Sequence, residues 1–565
     1  MRATSTWRRF PLIALAASLL ACEDGDSTSP HADTGPVHAR DAEIDAAGPV
    51  APSDAGSAFD AGTLDAGRDA RAMDATAYVD STMTFDATVV PDASPSPGAG
   101  HDSATTPVND EDAGPADAGP PMSEDTFSMR VVASGLDAPW EITWGPDARL
   151  WITERAGWRV LRMNPATGSY FIALEVSDVY QASGQDGVLG MALHPQLGLD
   201  SGSDYVYLAY TYDADPSAAL ERRAKLVRFT FDWELGTLGS PVSLVAGLPA
   251  SDDHNSGRLI YGPDDHLYHT IGDQGHNQFD NKCSPVRAQD LPTQYEVDHH
   301  DWSTYQGKIL RIGLDGSIPA DNPTLSGVRS HIFSFGHRNA QGLAFGPTGK
   351  LYASEHGPKT DDEINLIVSG KNYGWPHVAG YRDNQAYFYA NWSGSAPESC
   401  ESLSYSDYDV PDAVPKDAET AWSHPDYVAP LRTLYTVDNS FDFLNLPCED
   451  NDFICWPTVA PSSLDLYVPG NNGLQSWGAA LLVPNLKHGS VLRLKLSASG
   501  ESVEGETTEL FKTTNRYRDL AIAPDNRTFY VITDSSGATS GPTSHSTQEL
   551  EHPGAVLEFT YTAQP

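Results

Sequence analysis

The chain has 565 residues and a formal net charge of −42, with 77 acidic residues against 35 basic ones. A protein this acidic is a poor partner for nucleic acid, because phosphates are neutralised by clustered Lys and Arg. The length allows two or three average domains or one large all-β domain, and composition divides the chain into three unequal parts.

Residues 1–22 have the composition of a short export signal. Arginines precede an apolar run from Leu12 to Leu20, which is shorter than the ~20 residues needed to cross a bilayer. The run ends in Leu19-Leu20-Ala21-Cys22, which resembles a bacterial lipobox and predicts a lipid attached to Cys22. The alternative is an ordinary signal-peptidase site beside an incidental cysteine. We expect an exported protein in the periplasm or on the cell surface, with a lipid anchor as its only membrane contact.

Residues 23–124 have the composition of a disordered acidic linker. They contain 21 acidic residues against 3 basic ones, and Asp-Ala-Gly recurs at positions 54, 60, 65, 112 and 117. Such a segment cannot bury enough apolar surface to fold. We predict a spacer without chemistry of its own, followed by one folded region at residues 125–565.

The chain has five cysteines, and pairing is the default in an oxidising compartment. Lipid attachment at Cys22 leaves four. Cys448 and Cys455 are close in sequence across an acidic turn, which favours a local disulfide and leaves Cys283 to pair with Cys400.

Six segments of the folded region share a Pro-containing turn followed by an alternating strand. The turns are Gly145-Pro146-Asp147, Leu193-His194-Pro195, Gly262-Pro263-Asp264, Gly346-Pro347-Thr348, Ala460-Pro461-Ser462 and Ala523-Pro524-Asp525. Tandem β units without a long amphipathic helix predict an all-β, six-bladed β-propeller. A pair of β-sandwiches is the alternative.

The loop Asp252-Asp253-His254 precedes the third repeat and places a carboxylate beside a histidine. An unperturbed imidazole titrates near neutral pH, which suits a general base. A lone Asp-His pair in a loop is more often a surface or turn feature, so this motif needs support from other residues.

Gly336-His337-Arg338-Asn339 places an arginine where a strand meets a loop. Arg338, Lys487, Arg516 and Arg518 all lie in Gly- or Asn-containing loop contexts, although a structural salt bridge is the simpler explanation for each. The planar guanidinium group suits carboxylates, so these cations would neutralise a small polyanionic ligand if they met at the propeller centre.

Gly357-Pro358 can supply two adjacent backbone carbonyls, which suit a hard cation such as calcium. Asp361-Asp362-Glu363 and Asp383 add oxygen donors nearby. By itself an acidic loop is usually a solvated surface feature.

Together these segments closely resemble the soluble quinoprotein glucose dehydrogenases, which are six-bladed propellers that bind pyrroloquinoline quinone (PQQ) and calcium. The resemblance runs from about Met129 to the C-terminus. Its motifs are Asp253-His254-Asn255-Ser256-Gly257-Arg258-Leu259, Thr270-Ile271-Gly272-Asp273-Gln274-Gly275, Gly336-His337-Arg338-Asn339, Asp361-Asp362-Glu363-Ile364-Asn365-Leu366-Ile367, Tyr373-Gly374-Trp375-Pro376, Ile454-Cys455-Trp456-Pro457-Thr458-Val459-Ala460-Pro461 and Asn515-Arg516-Tyr517-Arg518.

The resemblance implies an aldose dehydrogenase that forms an aldonolactone and passes electrons to an external acceptor. His254 would be the base at the C1 hydroxyl, and Asp253 would hold its imidazole and touch the sugar. The implied cofactor contacts come from Gln185, Arg338, Asn339, Lys487, Arg516 and Arg518, with catalytic calcium on the carbonyls of Gly357 and Pro358. The implied sugar contacts come from Gln185, Asp253, Gln278 and Trp456.

The family also binds structural calcium near a dimer interface, which implies a homodimer. The matching positions are Glu363, Asp383 and Glu419, with backbone oxygens of Tyr373, Ala379 and Tyr381. The chain departs from the family at Phe453, where a tyrosine is usual at the sugar site, so the preferred sugar stays open. Cys283 and Cys400 both lie in altered stretches, which favours an additional disulfide.

Three alternatives remain at this point. A related quinoprotein could oxidise another sugar or an alcohol. A calcium-dependent propeller lactonase would not need Lys487, Arg516 and Arg518, and a binding propeller without catalysis would not need His254 and Arg338.

Overall fold

The computed structural model describes residues 125–182, 184–446, 448, 452–542 and 545–562, with only the backbone of residues 452 and 453. The predicted export signal, the lipid at Cys22 and the acidic linker lie outside the described residues. No helix in the described part of the chain combines the length and apolar character needed to cross a membrane.

The described chain is built from antiparallel β-strands. In chain order they are β1 Phe127–Ala133, β2 Pro139–Trp144, β3 Leu150–Glu154, β4 Arg159–Met163, β5 Tyr170–Glu175, β6 Val188–Leu193, β7 Tyr205–Asp213, β8 Arg222–Asp232, β9 Thr237–Pro249, β10 Ser256–Tyr261, β11 His266–Ile271, β12 Lys308–Gly313, β13 Thr324–Leu325, β14 Val328–Arg329, β15 Ile332–Phe335, β16 Ala340–Phe345, β17 Leu351–Glu355, β18 Asp362–Ile367, β19 Tyr389–Ala390, β20 Lys416–Asp417, β21 Arg432–Leu434, β22 Asp465–Tyr467, β23 Ala480–Pro484, β24 Val491–Leu496, β25 Val503–Leu510, β26 Tyr517–Ile522, β27 Thr528–Thr533 and β28 Val556–Tyr561.

The strands form six four-stranded sheets, which confirms the predicted six-bladed propeller. The blades, in chain order, are β2–β5, β6–β9, β10–β12 with β15, β16–β18 with β21, β22–β25, and β26–β28 with β1. The first strands of the blades form a closed ring, in which β2 contacts both β6 and β26. The N-terminal strand β1 completes blade six by pairing with β28, with Phe127 opposite Tyr561.

The Pro-containing turns join the first and second strands in five of the blades. The exception is Ala460-Pro461-Ser462, which precedes β22, the first strand of blade five. The predicted strand after this turn is present as β22, but it is the first strand of its blade rather than the second. In blade five the turn between the first and second strands follows Tyr467 and contains Pro469 and Gly470. Because β22 is short, Pro461 and Pro469 lie close together in sequence, and the strand pattern alone did not show which of them joins the first and second strands.

Apolar side chains fill the spaces between neighbouring blades. Between blades one and two, Trp151, Leu208 and Phe231 belong to one buried cluster, and the rings of Trp151 and Phe231 meet edge-on at 5.1 Å between centroids. Strands near the axis such as β3 are buried throughout, whereas the outer strand β5 is largely exposed. Strands buried on both faces are mostly apolar, whereas strands with one exposed face alternate between polar and apolar residues.

Two long connections interrupt the regular succession of strands. The connection between β11 and β12 contains the 3-10 turn Phe279–Asn281 and α1 (Gln294–Asp298), the single α-helix within the described residues. Residues 368–431, between β18 and β21, form the blade-four insertion. It contains the antiparallel strand pair β19–β20 and the 3-10 turns Trp392–Gly394, Cys400–Ser402 and Glu419–Ala421. Outside the insertion, two further 3-10 turns lie at Asp452–Cys455 and Gln475–Trp477. Both predicted disulfides, Cys283–Cys400 and Cys448–Cys455, are confirmed.

Arg258, on β10, lies buried at the propeller axis and joins five blades. Its Nη1 donates to Glu141 of blade one and, at 3.1 Å, to Oδ2 of Asp519 in blade six. Its other nitrogens donate to the backbone oxygens of Gln341 in blade four (2.9 Å) and Ser462 before blade five (3.2 Å). Burial raises the pKa of Glu141 well above its ordinary value, and Arg258 opposes that rise.

We expect Arg258→Met to destabilise the domain strongly, by about 3–5 kcal/mol, because it leaves the carboxylates of Glu141 and Asp519 buried without their cation. Urea unfolding of the full chain measures the change. Arg130→Met is the matched control, since Arg130 is half-exposed and pairs with Glu558 on the outer edge of blade six. It should cost no more than about 1 kcal/mol. Equal effects of the two substitutions would contradict a structural role for the axial arginine.

Candidate active site

A cavity of about 550 Å³ opens at the end of the propeller opposite the turns that join first and second strands. Antiparallel pairing explains its position, because each first strand begins where the second strand ends. Ser256 at the start of β10 pairs with Ile271 at the end of β11, and Ala340 pairs with Glu355 in blade four. The segments flanking these ends therefore converge. The predicted residues that line the cavity are Gln185, Asp253, His254, Gln278, Arg338, Gly357, Pro358, Trp456, Lys487 and Arg516.

His254 is buried and is held by a carboxylate across the sheet. Its Nδ1 lies 2.7 Å from Oδ1 of Asp273, whose other oxygen accepts a hydrogen bond from Nε1 of Trp375 at 2.8 Å. Burial raises the pKa of Asp273, but His254 and Arg338 outweigh burial, so the net pKa is lowered and the carboxylate is charged. A charged partner at Nδ1 favours the tautomer with its proton there, which leaves the Nε2 lone pair available as a base.

Asp253 does not hold the imidazole in the predicted way. Its Oδ1 lies 3.7 Å from Nε2 of His254, beyond hydrogen-bond distance, whereas Asp273 engages Nδ1. The backbone of His254 has φ of 43°, in the left-handed region, and its imidazole contacts Asp273 just beyond the end of β11. Asp253 instead accepts hydrogen bonds from Nε2 of Gln185 (3.0 Å) and of Gln278 (2.9 Å). Asp253 is thereby fixed beside the basic nitrogen.

Arg338 lies between the base and the second half of the cavity. Its Nη2 donates to Oε1 of Gln278 at 3.0 Å, and its guanidinium lies 5.3 Å from the ring centre of Trp375. Glu355 accepts from the backbone N–H of Arg338 and lies 2.9 Å from Nδ1 of His337. The Nε of Arg338 is buried without a hydrogen-bond partner, so this cation has unused donor capacity.

Asn339 lies behind the cavity wall. Its Oδ1 accepts hydrogen bonds from Ser256 Oγ (3.0 Å) and Gln341 Nε2 (2.9 Å), which fixes the amide. Its Nδ2 is buried without a partner, as is Nε1 of Trp456 on the cavity wall. Buried donors of this kind are normally satisfied, so these two atoms fit a ligand that supplies acceptor oxygens.

Lys487 and Arg516 form the cationic side of the cavity. Nζ of Lys487 donates to the carbonyl of Trp456 at 2.8 Å and to Thr458, and burial lowers the pKa of Lys487 to about 7. Arg516 donates from Nε to Asp534 at 3.3 Å. Arg518 binds both oxygens of the same carboxylate at 2.9 Å and lies behind Arg516 rather than on the cavity wall. Two guanidinium groups sharing one carboxylate leave a positive charge for an anionic ligand.

Gly357 and Pro358 lie on the cavity wall beside Asp362. The Gly357 N–H donates to Oδ1 of Asp362 at 2.8 Å, which fixes the turn that carries both carbonyls. A side chain at position 357 would collide with the carbonyl of Thr360, so the close turn requires glycine. The oxygen donors fit a hard cation.

The predicted structural calcium residues lie at one end of the blade-four insertion. Glu363 accepts from Gly380 N–H at 2.6 Å, and Glu419 accepts from Ala379 N–H at 3.0 Å and Asn384 N–H at 2.7 Å. Burial raises the pKa of Glu419 to about 7. The predicted set combines side chains with backbone oxygens of Tyr373, Ala379 and Tyr381, together with Asp383. Within the described residues, no group of three or more His, Cys, Asp or Glu side chains is placed to hold an ion.

Three supporting residues were not assigned roles from the sequence. Asp273 and Trp375 lie inside motifs of the family resemblance, and Glu355 ends β17, the second strand after Arg338. For Asp273 and Glu355 the signal was an acidic residue at or just after a strand end, close in sequence to other candidate site residues. Phe453 lies in a 3-10 turn, and its side chain is outside the described part of the structure.

A closed propeller ring with a buried base and a cationic wall in one cavity is the arrangement of a propeller enzyme that takes an anionic ligand. The family model for glucose / sorbosone dehydrogenases matches residues 136–402 and 447–540. The chain belongs to this family and is an oxidoreductase, as predicted.

Individual relatives agree with the family match. Quinoprotein glucose dehydrogenase B of Acinetobacter calcoaceticus is 44% identical over 443 residues, which cover 78% of this chain and 92% of the relative. Aldose sugar dehydrogenase of Escherichia coli is 26% identical over 414 residues, covering 73% and 91%.

Solved structures share the fold. The PQQ-bound aldose sugar dehydrogenase of Streptomyces coelicolor has a TM-score of 0.51 at 24% identity, covering 78% of this chain and all of that one. The apo form of the soluble E. coli aldose sugar dehydrogenase has a TM-score of 0.54 at 24% identity, covering 77% and 100%. At this identity the likeness supports the propeller architecture.

If the insertion binds calcium, adding calcium to EGTA-treated protein should raise its melting temperature. A ligand at 100 times its dissociation constant stabilises the folded state by about 2.7 kcal/mol. Glu419→Gln should reduce this calcium-dependent increase, because it removes one buried negative charge. Glu401→Gln, an exposed acid on the same insertion, is the control and should keep the full increase. An unchanged increase in Glu419→Gln would argue against this site.

Proposed function

We propose that this chain is a PQQ- and calcium-dependent sugar dehydrogenase that oxidises the C1 hydroxyl of glucose or another aldose to the aldonolactone. The observation that carries the proposal is the single cavity shared by the His254–Asp273 pair, Arg338 and the cations Lys487 and Arg516. The identity of 44% to a quinoprotein glucose dehydrogenase supports the same cofactor and substrate class.

The donor set of the cavity fits PQQ, which carries three carboxylates and two adjacent quinone oxygens. Lys487 and Arg516, with Arg518 behind them, would hold the carboxylates, and Gln185 would line the cofactor pocket. Arg338 and Asn339, each with a buried donor that lacks a partner, would face the quinone oxygens. When bound, PQQ supplies the hydride acceptor, and calcium at the carbonyls of Gly357 and Pro358 supplies a Lewis acid.

His254 would take the proton from the C1 hydroxyl through Nε2. Asp273 then stabilises the imidazolium, because its buried carboxylate already lies 2.7 Å from Nδ1. Asp253, fixed by Gln185 and Gln278, can accept a hydrogen bond from a sugar hydroxyl next to the base. Arg338 places a positive charge where negative charge develops during the reaction, which lowers the barrier.

Aromatic side chains would provide the apolar surface for the sugar ring. Trp456 and Tyr405 both line the cavity, and Phe453 is in the turn that leads to Trp456. The loss of the usual tyrosine hydroxyl at Phe453 would change contacts with one sugar hydroxyl. A substrate panel of aldoses and simple alcohols separates glucose specificity from broader use.

We further propose that the catalytic domain at residues 125–565 is exported and tethered through residues 23–124 to a lipid on Cys22, with residues 1–22 as the signal. The two disulfides favour an oxidising compartment. Electrons would leave for an external acceptor, and calcium at Glu363, Asp383 and Glu419 would support a homodimer.

The decisive experiment adds calcium and PQQ to apo-protein and follows glucose-dependent reduction of an artificial dye. His254→Ala should still bind PQQ but lose ~10²- to 10⁴-fold in kcat, because it lacks the general base. Asp273→Asn should keep the imidazole but lose much of that rate, since the neutral amide no longer stabilises the imidazolium. Lack of PQQ binding would refute the assignment, and wild-type rates in His254→Ala would refute the role of His254.

Cofactor affinity should depend on the protonation of Lys487. Its pKa is lowered to about 7 by burial, so in the apo-protein it is charged below that pH and increasingly neutral above it. Binding of a carboxylate requires the charged form, so the PQQ dissociation constant should rise by up to ~10-fold per pH unit above 7. Titration by absorbance measures this. Lys487→Arg should flatten the dependence, since arginine stays protonated, and an equally steep slope would contradict the assignment.

A further inference from the structure

Two segments form the rim of the cavity beside His254. The rim loop, residues 274–283, follows β11, and the blade-four insertion, residues 368–431, lies between β18 and β21. Both contribute cavity-lining side chains, which include Gln278, Phe279, Trp392 and Tyr405.

The backbone of the rim loop is held in an uncommon conformation. Gln274, Asn277 and Phe279 have φ of 68°, 66° and 45°, in the left-handed region that disfavours residues with a side chain. The loop contains a single 3-10 turn, Phe279–Asn281, as regular structure. Such a conformation persists only where surrounding contacts fix it.

The fixing contacts come from the blade-four insertion. Nδ2 of Asn277 donates to the carbonyl of Ala390 at 2.8 Å, and the N–H of Trp392 donates to Oδ1 of Asn277 at 2.9 Å. Cys283 ends the loop and is bonded to Cys400 of the insertion, where it packs with Trp392, Val410 and Val414. The rings of Phe279 and Tyr405 lie 5.2 Å apart.

Gln278 lies between these two attachments and joins the catalytic groups. Its Nε2 donates to Asp253 at 2.9 Å and lies 3.5 Å from Nε2 of His254, while its Oε1 accepts from Arg338 at 3.0 Å. We infer that the Cys283–Cys400 disulfide and Asn277 are positioning elements of the active site, which hold the rim loop so that Gln278 bridges Asp253 and Arg338. This inference rests on the proposed sugar dehydrogenase activity.

The two disulfides differ in what they join. Cys448 and Cys455 are 7 residues apart in the chain, whereas Cys283 and Cys400 are 117 residues apart and connect segments of two blades. A cross-link between distant segments removes far more of the freedom of the two walls relative to each other. The longer-range bond is therefore the one that sets the geometry of the rim.

The test compares holoenzymes reconstituted with calcium and PQQ, well below their melting temperatures. Cys283→Ala/Cys400→Ala should raise KM for the sugar and lower kcat/KM by ~10- to 10²-fold, because a displacement of about 1 Å in a site costs up to that much. Asn277→Gly should act in the same direction, since glycine keeps the left-handed φ but removes both hydrogen bonds. Leu226→Ala, a buried residue of blade two outside the cavity, is the stability control. It should lower the melting temperature without changing KM.

A double-mutant cycle shows whether the disulfide acts through Gln278. In a Gln278→Ala background, removing the disulfide should have little further effect on kcat/KM, because the group that it positions is already absent. Fully additive losses, or a disulfide variant that changes only the melting temperature, would overturn the inference.

Hydrogen exchange of the apo-proteins gives a readout independent of turnover. Peptides of residues 274–290 should exchange faster in Cys283→Ala/Cys400→Ala than in the wild type, while peptides of β10 and β11 stay unchanged. Equal protection of the rim loop would refute the inference even if the wild type oxidises sugars. Conversely, absence of sugar oxidation by wild-type holoenzyme would refute the proposed function, and the exchange result would still decide whether the disulfide fixes the loop.

Discussion

The axial contact of Arg258 is the constraint on which the rest of the structure depends. One guanidinium group reaches from blade three to blades one, four, five and six, and the pairing of β1 with β28 closes the ring at its edge. Because the ring is closed, the starts of the first strands have fixed positions at one end. Most cavity residues lie in loops, but the strand ends that flank these loops are rigid. The strand ends therefore hold the cavity side chains in fixed positions.

One side of the cavity carries a charge opposite to that of the protein as a whole. The chain carries −42 overall, yet Arg338, Lys487 and Arg516 meet in one cavity, and Arg516 shares its carboxylate with Arg518. Burial strengthens the attraction of these cations for an anionic ligand, because the local dielectric is lower than that of water. The same burial lowers the pKa of Lys487, because a buried ammonium group is costly without a bound anion. Burial therefore increases the affinity for an anionic ligand but destabilises the charged lysine in the apo-protein.

Much of the fold and many of the site residues could be predicted from the sequence. The alternating strands and Pro-containing turns predicted six blades. The pattern did not show that the turn at Ala460-Pro461-Ser462 precedes a first strand, since a turn before a first strand resembles a turn after it. Most of the cofactor- and substrate-binding residues predicted from the sequence line the cavity. The prediction that Asp253 holds the imidazole was wrong, because adjacency in sequence favoured it as the partner of His254, whereas Asp273 reaches Nδ1 across the pairing of β10 with β11.

The sequence by itself determined the all-β character, the number of blades and the residue types of the site, because these follow from periodicity and from local motifs. The tertiary structure decided which carboxylate orients the base, which cations line the cavity, and that the rim loop is fastened to the blade-four insertion. These facts depend on contacts between segments far apart in the chain, such as Cys283 with Cys400. Ring closure brings such segments together, and no local pattern records their distance or orientation.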